Sequence, residues 1–228
     1  MEEAWELAAV SGNGLSDQTV EFIKLNEFAL RYHLHQLEKT THDFDIHYQA
    51  LEEYSRAKSK CDLNTDQVWD SLDRAMNDCF HTAQTLEPAI KRSRSKASQK
   101  FTELRGELLA YFLGLDAEGA SELKEIRNRM IHFDEDFDDW YMKVAKEGFR
   151  DGLRLIQRAL FWDEVELHVQ EQGVLMGYDI KTGVFHTLGD AMDIHSLCIM
   201  MRTVRDNIPL AHSRLTKLAK NKTELMTL

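Results

Sequence analysis

Apolar residues recur every three or four positions along most of the chain, which is the spacing of amphipathic helices. The pattern predicts a first helix through Leu37, followed by a polar stretch at 39–62 that is either a weaker helix or a mobile excursion. Asn64 or Thr65 then caps a stronger helix, and a further helix ends around Gly114. Because each predicted helix has one apolar face, we expect these helices to share a core.

The longest apolar stripe lies in residues 121–144. Its members step by three and four positions in strict alternation, which predicts a single long helix with this stripe in the core. The stripe consists of Leu123, Ile126, Met130, Phe133, Phe137, Trp140 and Val144.

The last third of the chain predicts a different mixture of elements. We expect a helix through Ile156 and Leu160, and then a β-hairpin in residues 174–188, where VLMGY and VFHTL flank a DIKTG turn. A final helix opens at Asp193 and closes near Pro209, and a basic tail follows. The C-terminal part is thus predicted to be a small hairpin with terminal helices.

Composition supports a mainly α, soluble fold. The chain has 228 residues, of which 43% are hydrophobic and 29% charged, and its 2 prolines and 11 glycines are too few for a sandwich or barrel of many short strands. We predict an N-terminal extension at 1–16, an antiparallel helical bundle at 17–160, and a hairpin with C-terminal helices at 161–228, packed on the same core.

Charge and cysteine usage narrow the function. The net charge of −11 argues against a protein that coats nucleic acid through its whole surface, although it permits a local basic site. Cys61, Cys79 and Cys198 lie far apart, which argues against disulfides and thiolate zinc sites and favours a reducing, cytoplasmic setting. We find no signal peptide or membrane span, and we predict no metal and no cofactor.

Residues 91–105 form the most basic segment, with six cations against the single acid Glu103. One interpretation is a solvated linker and helix start. The other is a patch that contacts phosphate groups. The six basic residues are Lys91, Arg92, Arg94, Lys96, Lys100 and Arg105.

A second face of the long helix carries Arg127, Asn128 and His132. On a helical wheel they lie at roughly 40°, 140° and 180° when Leu123 is taken as zero, well away from the apolar stripe. Asn128 and His132 are four residues apart and therefore stack on neighbouring turns. Ile131 lies between them, either as part of a second contact surface or as an ordinary exposed apolar residue.

The run EIRNRMIHFDEDFDDW resembles the signature of HEPN domains, which are all-α modules marked by R-x4-6-H on a long helix, commonly with a polar residue after the arginine. Arg127 and His132 are separated by four residues, and Asn128 follows the arginine. The resemblance covers residues 17 to 150 in architecture and 127 to 140 in sequence. It implies a HEPN-type bundle.

The resemblance also implies a function, since many HEPN proteins are metal-independent endoribonucleases that act as homodimers in toxin–antitoxin, phage-defence or RNA-processing systems. His132 would be the acid/base, Arg127 the phosphate clamp and Asn128 an orienting or binding group, while Ile131 would pack near the two-fold axis. RNA would bind along Lys91, Arg92, Arg94, Lys96 and Lys100, and an antitoxin or regulatory protein would be a further partner. The alternative is a non-catalytic HEPN module that binds RNA or protein.

Overall fold

A computed structural model describes residues 17–86, 96–115, 128, 133–148, 156–162, 174–188 and 190–220. Six α-helices, one short 3-10 helix and four strands lie in these ranges. The helices are α1 (Asp17–Leu25), α2 (Glu27–Ser55), α3 (Thr65–Leu86), α4 (Lys96–Leu113), α5 (Phe133–Gly148) and α6 (Ile194–Lys220), with the 3-10 helix at Lys60–Asp62. The strands are β1 (Ile156–Phe161), β2 (Val174–Asp179), β3 (Val184–Thr187) and β4 (Asp190–Asp193). The predominantly helical fold is therefore confirmed.

The polar stretch that left two interpretations open is helical as far as Ser55. Phe44, Tyr48 and Leu51 recur at helical spacing on its buried face, so packing stabilises a segment whose composition is otherwise polar. The predicted cap of α3 is confirmed at Asn64, whose Oδ1 accepts hydrogen bonds from the amides of residues 66 and 67 at 3.1 and 3.3 Å.

Gly114 follows the last residue of α4, as predicted. Its φ of +66° is the left-handed conformation that commonly ends a helix and that glycine adopts without steric cost.

The predicted helix end near Pro209 is wrong, because α6 runs through this proline to Lys220. Its apolar face continues on both sides, with Val204 and Ile208 buried before the proline and Leu215 buried after it. The proline itself is exposed, so water can hydrate the carbonyl that lacks an amide partner. Packing of the buried face therefore outweighs the local cost of the proline. The opposite end of α6 is as predicted, because Asp193 accepts from the His195 amide at 2.9 Å.

The predicted hairpin is confirmed, but it belongs to a larger sheet. The four strands are ordered β1-β2-β3-β4, with β1 parallel to β2 and the other neighbours antiparallel. In the hairpin Tyr178 pairs with Phe185. The helix predicted through Ile156 and Leu160 is wrong, because these residues form β1. Their three- to four-residue spacing fits either element, and pairing with β2, a contact distant in sequence, decides the outcome.

The hairpin turn is fixed to the C-terminal end of α2 by one lysine. Lys181 Nζ donates to the carbonyls of Ser55 and Ala57 at 2.8 and 3.1 Å, and it lies 4.0 Å from the centroid of a Trp162 ring. Carbonyls at a helix C-terminus lack amide partners within the helix and carry partial negative charge, so a lysine there is favourable. The contact ties the sheet to the helix.

The chain divides into two compact units, each discontinuous in sequence. The first unit consists of Met1–Thr41, His81–Lys124 and Thr203–Leu228, and the second of His42–Phe80 and Glu125–Arg202. Helices α2, α3 and α6 contribute residues to both units. The predicted domain boundary between residues 160 and 161 stays a prediction.

Each unit has its own buried apolar residues. In the first unit these include Leu30, Leu34, Leu108, Phe112 and Leu215. In the second they include Phe44, Leu72, Phe161, Cys198 and Met201. No helix in the described ranges is both long enough and apolar enough to span a membrane.

Candidate functional site

The predicted R-x4-H site is described at one position only. Asn128 is helical and exposed to solvent, and α5 begins five residues later at Phe133. Arg127, Ile131 and His132 lie outside the described residues, so their proposed roles stay predictions. The exposure of Asn128 fits the sequence pattern, which assigns this residue to a second face of the helix, away from the core.

The basic segment is described from Lys96 onward. Lys96 and Lys100 lie one turn apart at the start of α4, which begins within the segment, and the structure describes their backbone. Lys91, Arg92 and Arg94 lie outside the described residues. Whether this segment contacts RNA therefore stays a prediction.

Arg105, the last cation of the basic segment, is directed into the first unit. It is half-buried, and its Nη1 donates to Nε2 of His33 on α2 at 3.1 Å. Burial and the neighbouring guanidinium lower the pKa of His33 to about 4, so its imidazole is neutral at pH 7 and offers a lone pair to the arginine. Arg105 therefore makes a structural contact inside the first unit and does not belong to the phosphate-binding patch considered for this segment.

The His33 contact predicts a specific loss of stability in acid. Because the folded-state pKa of about 4 lies below the ordinary histidine value of 6.5, the contribution to stability is complete above pH 6.5 and is lost as pH falls towards 4. His33→Gln keeps an acceptor without titrating, so we expect the wild type to lose more stability than this variant between pH 6.5 and 4. Urea unfolding at several pH values measures the difference, with exposed His42→Gln as the control. Parallel pH profiles for wild type and His33→Gln would contradict the assignment.

Helix α5 carries aromatic and acidic residues on different sides. The Phe137 ring centroid lies 6.1 Å from that of Trp140 and 6.0 Å from that of Tyr141. Phe137 and Trp140 were predicted to be core residues, but both are half-buried. Asp136, Asp138 and Asp139 are exposed, which fits the solvation of a helix face.

A polar cluster in the second unit joins α2 to α6. The hydroxyl of Tyr48 and Nδ1 of His195 form a hydrogen bond at 2.8 Å. The Arg202 guanidinium lies 5.5 Å from the Tyr48 ring centroid and donates through Nε and Nη2 to Asp45 Oδ1, at 2.8 Å in each case. Burial, with Cys198 and Glu52 nearby, raises the pKa of Tyr48 to about 12, so its hydroxyl stays protonated at neutral pH.

This cluster is a fixed structural contact between two helices. The guanidinium of Arg202 donates both of its described hydrogen bonds to Asp45, and Tyr48 is buried, while His195 is exposed and Arg202 is partly exposed. Sequence patterns do not identify the cluster, because Tyr48 and His195 are separated by 147 positions. The only local signal is Asp193, which caps α6 and thereby fixes the backbone at His195.

A second basic surface, distinct from the predicted one, lies in the first unit. A groove of about 430 Å³ is lined by apolar and aromatic residues from α1, α4 and α6 together with Arg214 and Lys217. Arg214 Nη1 donates to the carbonyls of Tyr111 and Phe112 at 3.3 and 3.0 Å, which holds the guanidinium at the end of α4. The groove thus combines two basic side chains with an apolar lining in which Tyr111 is the partly exposed aromatic residue.

No group of three histidine, cysteine or carboxylate residues in the described part of the chain is arranged to bind a metal ion. Comparisons with family models, with curated proteins and with solved structures gave no match.

Proposed function

We propose that the protein is a HEPN-type, metal-independent endoribonuclease that acts as a homodimer in the cytoplasm. The observation that carries the proposal is the spacing of Arg127, Asn128 and His132, together with the helical, exposed position of Asn128. The helical wheel assigns these residues to a second face, away from the apolar stripe, which a substrate would reach from solvent. The mainly helical fold supports the proposal as well.

The residue types suit RNA cleavage by the 2′-hydroxyl. Histidine titrates near neutral pH, so His132 can take the proton of the 2′-hydroxyl or give one to the leaving oxygen. Arg127 supplies a permanent cation whose planar fork fits two phosphate oxygens as negative charge builds up. Asn128 orients or binds the substrate. Because the nucleophile belongs to the RNA itself, the reaction is confined to RNA.

In the proposed homodimer two copies of the motif form one active site, with Ile131 packed near the two-fold axis. RNA enters along the basic segment, since a dimer of such acidic chains has no general attraction for polyanions. The biological setting is toxin–antitoxin, phage defence or RNA processing, with an antitoxin or regulatory protein as partner.

The purified protein is expected to cleave RNA in the presence of EDTA and to leave 2′,3′-cyclic phosphate ends. An oligonucleotide with one 2′-deoxy residue at the cleavage position should resist cutting there, because the nucleophile is missing. Gel analysis of end-labelled substrates measures both results. Cleavage of DNA, or cleavage that survives the 2′-deoxy substitution, would contradict the mechanism.

A non-catalytic RNA-binding module is the second candidate, and the groove beside Arg214 and Lys217 favours it. In that case RNA binds and stays intact. Replacing Arg214 and Lys217 with glutamine then weakens binding and lowers its salt dependence. Binding without cleavage would support this function over the nuclease.

A further inference from the structure

The first unit exposes a row of large apolar side chains along α1 and the start of α2. The exposed fractions are 69% for Leu25, 86% for Phe28 and 54% for Tyr32. Single exposed apolar residues are ordinary, but neighbouring ones that form a patch mark an interaction surface. The opposite side of the same helices holds the fully buried Ile23 and Leu30.

The row continues to His35 and has the spacing of a coiled-coil seam. Leu25, Phe28, Tyr32 and His35 step by three, four and three positions. Helical hydrogen bonds span the turn at Asn26. The Asn26 amide donates to the Phe22 carbonyl at 3.1 Å, and the Leu30 amide donates to the Asn26 carbonyl at 3.0 Å. We call these four residues the α1–α2 seam. A seam with this period fits another helix laid along it.

We propose that the α1–α2 seam binds the same seam of a second copy of this chain, with the two helices antiparallel. A two-fold axis between Phe28 and Tyr32 places Phe28 opposite Tyr32 of the partner subunit, and Leu25 opposite His35 of the partner subunit. Both pairs then occur twice, and the three apolar side chains of each copy lie at the centre. The seam is a second two-fold interface, separate from the one proposed at Ile131, so this inference does not rest on the proposed function.

The charges beside the seam support a second copy as the occupant. In the antiparallel arrangement Lys24 lies opposite Glu38 of the partner subunit, on both sides of the axis. The Glu38 carboxylate lies 3.5 Å from Nδ1 of His35 in the same chain, and its side chain is 59% exposed and therefore still accessible. Arg31 meets Arg31 of the partner subunit, but each guanidinium already pairs with Glu27 at 2.7 Å, which offsets the repulsion. The charges of the seam are thus complementary to those of the same seam running antiparallel, which is the property that a two-fold dimer needs.

The size of the surface predicts a dimer of modest strength. Fully buried aromatic side chains contribute 150–250 Å² each, so the two seams with their flanks bury on the order of 1,000 Å². That area lies at the lower end of specific interfaces, and we expect association in the micromolar range.

Phe28→Glu tests the seam directly. The variant places a carboxylate at the centre of the interface twice, so it should weaken association at least about 100-fold and halve the mass of the assembly. Sedimentation of the full chain from about 1 to about 100 μM spans the expected association range. Gln67→Glu on α3, an exposed site with the same charge change, should leave the mass unchanged. Circular dichroism checks that the variant stays folded.

A charge exchange provides the second test. Lys24→Glu and Glu38→Lys should each weaken association by roughly fivefold, since each change removes two exposed ion pairs. The double variant should recover wild-type association, because the pairs form again with their signs reversed. A wild type that is monomeric throughout, a Phe28→Glu variant of unchanged mass, or a double variant as weak as its singles would each overturn the proposal. A monomeric wild type would also contradict the homodimer of the proposed nuclease, whereas the Phe28→Glu and charge-exchange results concern the seam alone.

Discussion

Replacing His132 with alanine is expected to lower the rate of RNA cleavage by about 10²–10⁴-fold, the usual contribution of a positioned acid/base group. The proposed composite site holds two such histidines, one accepting a proton while the other donates. The wild-type rate should therefore have a bell-shaped pH profile centred near the ordinary histidine pKa of about 6.5. Single-turnover cleavage in EDTA measures both quantities.

The matched control for His132→Ala is His42→Ala, which removes an exposed histidine from α2. Its cleavage rate should equal that of the wild type. In the proposed dimer the site is shared between copies, so inactive His132→Ala chains added to wild type should lower activity by more than dilution predicts. Full activity in His132→Ala would show that this histidine is not the acid/base, even if the protein cuts RNA.

Sequence patterns predicted those elements whose signals are local. Asn64 and Asp193 cap their helices within three residues, and Gly114 ends α4 through its own φ angle. The hairpin was predicted from two short β-rich segments on either side of a single turn. The R-x4-H motif is local in the same sense, so the sequence alone is sufficient to propose a site there.

The features that sequence patterns missed depend on contacts between distant residues. Strand β1 forms because it pairs with β2, and its helical spacing gave the opposite prediction. Helix α6 continues through Pro209 because buried residues on both sides hold it in place. Arg105 and His33 are 72 positions apart, so no local pattern in the sequence indicated that this cation of the basic segment contacts a histidine within the first unit.

Gly177→Ala is expected to lower the free energy of unfolding by about 3 kcal/mol, the upper end of the usual cost of overpacking. Gly177 lies in β2 between Ala159 and His186, and a Cβ there would overlap Cε2 of Phe161 and lie 3.1 Å from its Cζ. The Phe161 ring is 1% exposed and packs with Ala159, so it cannot swing into solvent. The loss of stability therefore comes from the strain of repacking Phe161 in the core beside the sheet.

Phe161→Leu in the same chain tests this cause. The smaller side chain makes room for the new methyl group, so the double variant should be more stable than the sum of the two single changes predicts, by about 1–2 kcal/mol. Gly183→Ala is the matched glycine control. Its φ of +73° strains alanine, but nothing lies within 4 Å of the added Cβ, so Phe161→Leu should give it no relief. Urea unfolding measures all five variants, and strict additivity for Gly177→Ala would show that contact with the Phe161 ring is not the reason that glycine occupies this position.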